Sequence, residues 1–149
     1  MLSISGSAEF QAAFGVSRET AERLELYASL LLQWQKAVNL VAPSTLERVW
    51  HRHFADSAQL AALVPETARR HADLGSGGGF PGLVLAIMLA EAGTVATVLI
   101  ESDQRKAAFL REVARQVAIP VDILSTRIEN PGTRLKVGRI DVVTARALA

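Results

Sequence analysis

The residues best suited to hold a ligand lie in one glycine-rich run, Asp73–Gly82, which contains five of the ten glycines of the 149-residue chain. Glycine adopts positive φ readily and lets a ligand approach the backbone without a Cβ clash. The run follows a short strand-like segment, His71–Leu74, and precedes an apolar helical segment that starts near Leu83. Because a helix N-terminus offers unpaired backbone N–H groups, we predict a ligand site at this turn.

Two ligand-binding patterns overlap in the run. Gly77-x-Gly79-x-x-Gly82 matches the dinucleotide fingerprint, whereas Asp73-x-Gly75-x-Gly77-x-Gly79 is the pattern of S-adenosylmethionine (SAM) methyltransferases. A carboxylate at Asp73 suits the α-ammonium of a methionine moiety and would sit poorly beside a pyrophosphate. The sequence therefore favours SAM, with helix capping as the competing role for Asp73.

Polar residues also follow the next two predicted strands. Glu101 ends the apolar run Val95–Ile100, and a carboxylate there can bind the two hydroxyls of a ribose. Capping of the next helix is the alternative, although Ser102 and Asp103 are better caps. The loop after the third strand, Thr126–Glu129, would cover an adenine ring, and a solvated loop is equally compatible with its composition.

Composition excludes several other functions. The chain has no cysteine, which removes disulfides, thiolate metal sites and cysteine nucleophiles, and we expect no metal at His51, His53 or His71. Sixteen Lys+Arg against fifteen Asp+Glu give a net charge of +1, which points to neither nucleic acid nor membrane. No apolar run approaches the length of a membrane span, so we predict a cytoplasmic protein. Positive charge is nevertheless concentrated near the end, at five side chains that could contact phosphates: Arg127, Arg134, Lys136, Arg139 and Arg146.

The elements that must position these residues fall into two parts. Residues 1–70 show helical spacing and no strand alternation, which predicts an N-terminal helical cap. Residues 71–149 alternate apolar strands and helices in the order βαβαβ–loop–β, which is typical of a doubly wound α/β sheet.

Several motifs together resemble one family, the bacterial small-subunit ribosomal RNA guanine-N7 methyltransferases (glucose-inhibited division protein B, GidB). The continuation Phe80-Pro81-Gly82 after the glycines is more specific than the glycines themselves. Similar motifs occur from about residue 24 to the end: Trp34, Asn39-Leu40, Arg52–Ser57, Glu101-Ser102 with Arg105-Lys106, Thr126–Glu129 and Asp141–Ala147.

The resemblance implies a Rossmann-like class I SAM-dependent methyltransferase fold and methyl transfer from SAM to N7 of guanine 527 in 16S rRNA of the small ribosomal subunit. By position, Gly75 and Phe80 would line the methionine side of the cofactor, with Asp73, Gly77 and Gly79 in the same loop. Glu101 would hold the ribose, and Ile128 and Glu129 the adenine region. Arg146 would lie at the mouth of the active site, as a cofactor contact and the one candidate catalytic residue.

The number of strands raises an alternative function. Methyltransferases of this class usually have seven strands and only four are predicted here, so we expect a C-terminally incomplete fold whose fourth strand leaves Val142 and Val143 on an open edge. A SAM-binding or RNA-binding module with impaired catalysis is therefore the alternative. A nucleotide-dependent oxidoreductase is a third possibility, which Asp73 disfavours.

Overall fold

The computed structural model describes residues 3–146, and Ala147, the last residue of the predicted fourth-strand motif, lies outside them. The N-terminal part is helical, as predicted. Helix α1 spans Ser7–Phe14 and helix α2 spans Arg18–Gln35. The Ser17 hydroxyl is the N-cap of α2 and accepts a hydrogen bond from the backbone N–H of Thr20.

An irregular helical segment follows α2. It consists of a 3₁₀ turn at Pro43–Arg48, a π-helical turn at Trp50–Ala55, the short helix α3 at Asp56–Ala58 and a second 3₁₀ turn at Gln59–Leu63. The sequence predicted ordinary helices here. The π turn widens the chain locally, and such turns are common at functional sites.

Four parallel strands form the sheet, in the order β3-β2-β1-β4: β1 Arg70–Leu74, β2 Ala96–Ile100, β3 Asp122–Leu124 and β4 Val142–Ala145. The helices between them are α4 Gly82–Leu89, α5 Gln104–Val117 and α6 Pro131–Val137. The α/β prediction is confirmed, and β4 lies beside β1. Because the strand order reverses at β1, the ligand crevice of this fold class lies at the carboxyl ends of β1, β2 and β4.

The apolar core joins the helical part to the sheet. Tyr27 of α2 packs on Phe54, Phe80 and Phe109 with ring centroids 5.0, 5.5 and 6.2 Å apart, and all four rings are buried. A smaller cluster around Val98 covers the other face of the sheet. The carboxyl ends of the strands are thus supported by α2 and by the irregular segment, and the division at residue 70 remains a prediction.

β4 is an edge strand of the described sheet. It pairs with β1, and Val143 on its surface is 59% exposed while Val142 is half-buried. Within residues 3–146 no helix is long and apolar enough to cross a membrane.

Candidate functional site

The glycine run forms the turn between β1 and α4, as the sequence predicts. Gly75, Gly77 and Gly79 all have positive φ, at 63°, 56° and 100°. A Cβ at Gly79 would collide with the Tyr27 hydroxyl, which itself donates a hydrogen bond of 2.5 Å to the carbonyl of Gly78. The conformation of the turn is therefore stabilised by Tyr27 of helix α2 as well as permitted by its own glycines.

Glu101 is joined to this turn directly. Its carboxylate accepts the backbone N–H of Gly77 at 2.7 Å and that of Asp103 at 2.8 Å, and the residue is 7% exposed. The backbone N–H of Ser76 also donates to the carbonyl of Ile100, at 3.1 Å. Asp103 caps α5 as expected, by accepting from the N–H groups of Arg105 and Lys106. The ends of β1 and β2 are thereby tied together at the crevice.

Asp73 lies beneath the turn and has no exposed surface. Its Oδ1 accepts the Thr144 hydroxyl at 2.7 Å, while Oδ2 has no hydrogen-bond partner among residues 3–146. A Cβ at Gly82 would collide with the carboxyl group, so Asp73 packs against the first turn of α4. Burial raises the pKa of Asp73 to about 6, against the opposing effects of its hydrogen bonds and of Arg146. The contact of this carboxylate with a cationic ligand group, expected from sequence, stays a prediction; in the structure the carboxyl group is fully buried against the first turn of α4.

Thr144 connects Asp73 to a buried histidine. Because the Thr144 hydroxyl donates a hydrogen bond to Asp73, its oxygen accepts a hydrogen bond from Nε2–H of His71 at 2.7 Å. The other ring nitrogen, Nδ1, then accepts from Thr97 at 3.2 Å. Burial lowers the pKa of His71 to about 4, so the ring is neutral at physiological pH.

Phe80 is a packing residue at the centre of the site. It is 4% exposed and stacks between Tyr27 and His53, with ring centroids 5.5 and 5.0 Å away. The guanidinium of Arg146 lies 5.4 Å from the ring centroid. The Phe80 ring is therefore largely covered by protein, and Arg146 lies directly against it.

A chain of hydrogen bonds orients Arg146. The Thr45 hydroxyl donates to the carbonyl of Ala42 at 2.7 Å, so it accepts from Nε2–H of His53, also at 2.7 Å. Nδ1 of His53 is left to accept from the Arg146 guanidinium at 2.9 Å. Burial, and then the positive charge of Arg146, lower the pKa of His53 to about 4. Both ring nitrogens are occupied by hydrogen bonds, so His53 packs against Phe80 and orients Arg146.

The loop after β3 lies at the same edge of the sheet, because the carboxyl ends of parallel strands point the same way. Arg127, Ile128 and Glu129 are exposed, and a shallow depression is lined by Thr126, Arg127, Glu129 and Asn130. No hydrogen bond among residues 3–146 joins Ile128 or Glu129 to the glycine turn. Their role toward an adenine ring stays a prediction.

Sequence reasoning gave no site role to Thr45, Thr144 or Asp56, which complete the surroundings of Arg146 and Asp73, although the last two lie within the motifs identified from sequence. Arg146 and His53 are 93 residues apart in the chain, and Thr144 and Asp73 are 71 apart. No local pattern marks such pairs. Only the register of β4 against β1, where Thr144 is opposite Asp73, could have indicated one of them.

Comparison with known proteins identifies the family to which the sequence is similar. The sequence model of the family described as rRNA small subunit methyltransferase G (GidB) matches residues 20–149. Curated relatives named ribosomal RNA small subunit methyltransferase G include those of Rhodospirillum centenum, 58% identical over 95% of this chain and 62% of the relative, and Parvibaculum lavamentivorans, 54% identical over 96% and 62%. A third, from Paramagnetospirillum magneticum, is 54% identical over 97% of this chain and 66% of the relative. The chain thus spans about three fifths of the length of the first two relatives.

Proposed function

This chain belongs to the family described as rRNA small subunit methyltransferase G, and from that premise we propose that it binds SAM and acts in methyl transfer to N7 of guanine 527 in 16S rRNA. The RNA substrate would be the small ribosomal subunit or its free 16S rRNA, in the cytoplasm. The observation that carries the proposal is the hydrogen bond from the N–H of Gly77 to the Glu101 carboxylate. It holds an acidic side chain against the glycine turn at the carboxyl ends of β1 and β2, next to the point where the strand order reverses.

The residues present fit the cofactor. An ionised carboxylate has about four acceptor positions, and Glu101 uses two of them for backbone N–H groups. The remaining positions suit the two hydroxyls of a ribose. Gly75, Gly77 and Gly79 adopt positive φ and carry no side chain, so the backbone at these three positions is open to a ligand. The Asp73 carboxyl below the turn would favour a cationic ligand group electrostatically.

The chemistry requires positioning more than acid–base catalysis. Bound SAM supplies an electrophilic methyl group on a positively charged sulfur. Guanine N7 carries a free lone pair, so no protein base has to remove a proton before attack. Rate would come from holding the base in line with the methyl group, which is an effect of proximity and orientation. The neutral, fully occupied His53 agrees with a site that has no general base.

Arg146 is the candidate for contact with the acceptor. Its guanidinium is held by His53 at 2.9 Å and lies over Phe80, directly after the carboxyl end of β4. The exposed Arg127, Arg134, Lys136 and Arg139 would meet phosphates of the RNA.

Calorimetry and methyl transfer together test the proposal. We expect heat on titration with SAM and none with NAD, and transfer of labelled methyl from SAM to 30S subunits or free 16S rRNA. Borohydride reduction followed by aniline cleavage would map the product to N7 of the guanine. Heat with NAD and none with SAM would contradict the proposal. SAM binding without any methyl transfer would support the alternative, a binding module with impaired catalysis.

A further inference from the structure

A cavity of about 230 Å³ opens between the irregular helical segment and the carboxyl end of β4. Pro81, which follows Phe80, places one wall next to the glycine turn, and Leu60 adds a second apolar surface. The polar part of the lining comes from Asp56, Ser57, Gln59 and Arg146, of which Asp56 and Arg146 carry charge. Flat apolar walls with a few polar groups at one side are the usual form of a pocket for a base taken out of a stack.

The two charged groups of the cavity are held in different ways. Arg146 is fixed by His53 and by the Phe80 ring. Asp56 contacts Arg146 through one long ion pair of 3.6 Å, and its side chain is 56% exposed. A single pair at that distance leaves most acceptor positions of the carboxylate free. The buried hydroxyl of Ser57 has no hydrogen-bond partner among residues 3–146.

We infer that this cavity receives the acceptor base, and that Asp56 and Arg146 recognise it as guanine; the inference rests on the proposed function. Methylation at N7 requires that N7 face the donor and remain unpaired, so recognition falls on the other groups of the base. Guanine offers N1–H and N2–H as neighbouring donors and O6 as an acceptor. The Asp56 carboxylate accepts from the two donors, and the Arg146 guanidinium donates to O6.

The same arrangement rejects adenine. Adenine has an acceptor at N1, which would face the Asp56 carboxylate, and an amino donor at N6, which would face Arg146. Each mismatch leaves two like groups opposed and desolvated, and sites built on such polar pairing discriminate more strongly than apolar pockets do. Asp56 is therefore a specificity residue and not a proton-transfer group.

The test pairs a change in the protein with a change in the base. Short synthetic fragments of 16S rRNA would carry guanine, inosine or adenine at the acceptor position, and inosine lacks only the N2 amino group. Binding would be measured by fluorescence anisotropy with S-adenosylhomocysteine present, for the unchanged chain, Asp56→Ala and Asp56→Asn. Asp122→Asn is the matched control, because Asp122 is an exposed carboxylate at the amino end of β3.

For the unchanged chain and for Asp122→Asn we expect inosine to weaken binding about tenfold relative to guanine, the size of one hydrogen bond to a charged group. For Asp56→Ala the two RNAs should bind equally. Asp56→Asn should lose part of the preference for guanine over adenine, because its amide can donate to N1 of adenine. SAM affinity should stay unchanged in all three variants.

Three results would overturn the inference. The first is an inosine penalty in Asp56→Ala equal to that of the unchanged chain. The second is the same loss of preference in Asp122→Asn, which would reduce the effect to net charge. The third is loss of SAM binding in both Asp56 variants, which would make the residue structural. An unchanged chain that binds SAM but does not bind the guanine RNA would instead refute the proposed RNA substrate, and the inference with it.

Discussion

Replacement of Asp73 by asparagine tests how the buried carboxyl group affects the fold. Burial raises the pKa of Asp73 from 3.8 in the unfolded chain to about 6 in the native protein. This shift means that the proton binds the native protein more tightly than the unfolded chain by about 3 kcal/mol. Because the native protein holds this proton more tightly, the stabilisation associated with Asp73 is fully present below pH 3.8 and is lost as the pH rises through about 6. An asparagine side chain cannot ionise, so the Asp73→Asn variant does not lose this stability.

The expected result is a difference in unfolding free energy between Asp73→Asn and the unchanged chain that moves in favour of the variant as pH rises. Between pH 4.5 and 7.5 the linkage relation gives a change of about 2 kcal/mol in that difference. The absolute offset also contains the cost of an asparagine amide N–H where Oδ2 of Asp73 now has no partner. His53 and His71 titrate in both proteins and cancel in the difference.

Urea unfolding at a series of pH values measures this difference, with the exposed Asp122→Asn as a control that should show no such trend. A difference that stays constant within about 0.5 kcal/mol from pH 4.5 to 7.5 would refute the reasoning that burial holds the Asp73 pKa high. Calorimetry with SAM on the same samples gives a second result. Because the charge of Asp73 would assist a cationic ligand, Asp73→Asn should bind SAM more weakly than the unchanged chain at pH 7.5.

Three further predictions concern Gly82 of the glycine turn, the proposed ribose contact of Glu101, and His53. Gly82→Ala should lower the free energy of unfolding, measured in urea, by about 2 kcal/mol or more, because its Cβ would collide with the Asp73 carboxyl group. The control Gly6→Ala has nothing within 4 Å of its added Cβ and should be close to neutral. Equal losses in the two variants would count against this explanation. Glu101→Gln exchanges one acceptor for a donor opposite the N–H of Gly77 or Asp103, so its SAM affinity should fall at least about tenfold by calorimetry, while unchanged affinity would exclude Glu101 from the cofactor site. The His53 ring should be neutral with its proton on Nε2 and should titrate near pH 4 by NMR. Its contribution to the free energy of unfolding is lost as pH falls from 6.5 to about 4, and Arg146→Ala should raise the titration midpoint. A midpoint near 6.5 in the unchanged chain would contradict the hydrogen-bond arrangement.

Features that depend on neighbouring residues were predictable from sequence. Asp103 was identified as a cap because a short polar side chain before an apolar helical period satisfies the first N–H groups. The order of strands and helices followed from apolar runs separated by glycine and proline. Helix α6 was missed and predicted as a loop, although Asn130 and Pro131 form an ordinary helix start.

The irregular segment shows where local reasoning fails. Its apolar spacing is helical, and the sequence predicted ordinary helices there. In the structure, Phe54 has to reach Tyr27 and Phe80 while His53 reaches Thr45 and Arg146. His53 and Phe54 are consecutive residues of the π turn over Trp50–Ala55. Tertiary packing overrides the 3.6-residue period at such positions.

By itself, the sequence determined the α/β class, the glycine turn between β1 and α4, and the family, because these depend on local periodicity and contiguous motifs. It named Asp73, Glu101 and Arg146 as site residues, but only the tertiary structure showed how each is held. Asp73 lies under the turn, Glu101 ties the turn to β2, and Arg146 is oriented by a histidine 93 residues away. Burial and hydrogen bonding between distant residues depend on how the chain packs in three dimensions, and the spacing of residues along the sequence does not reveal them.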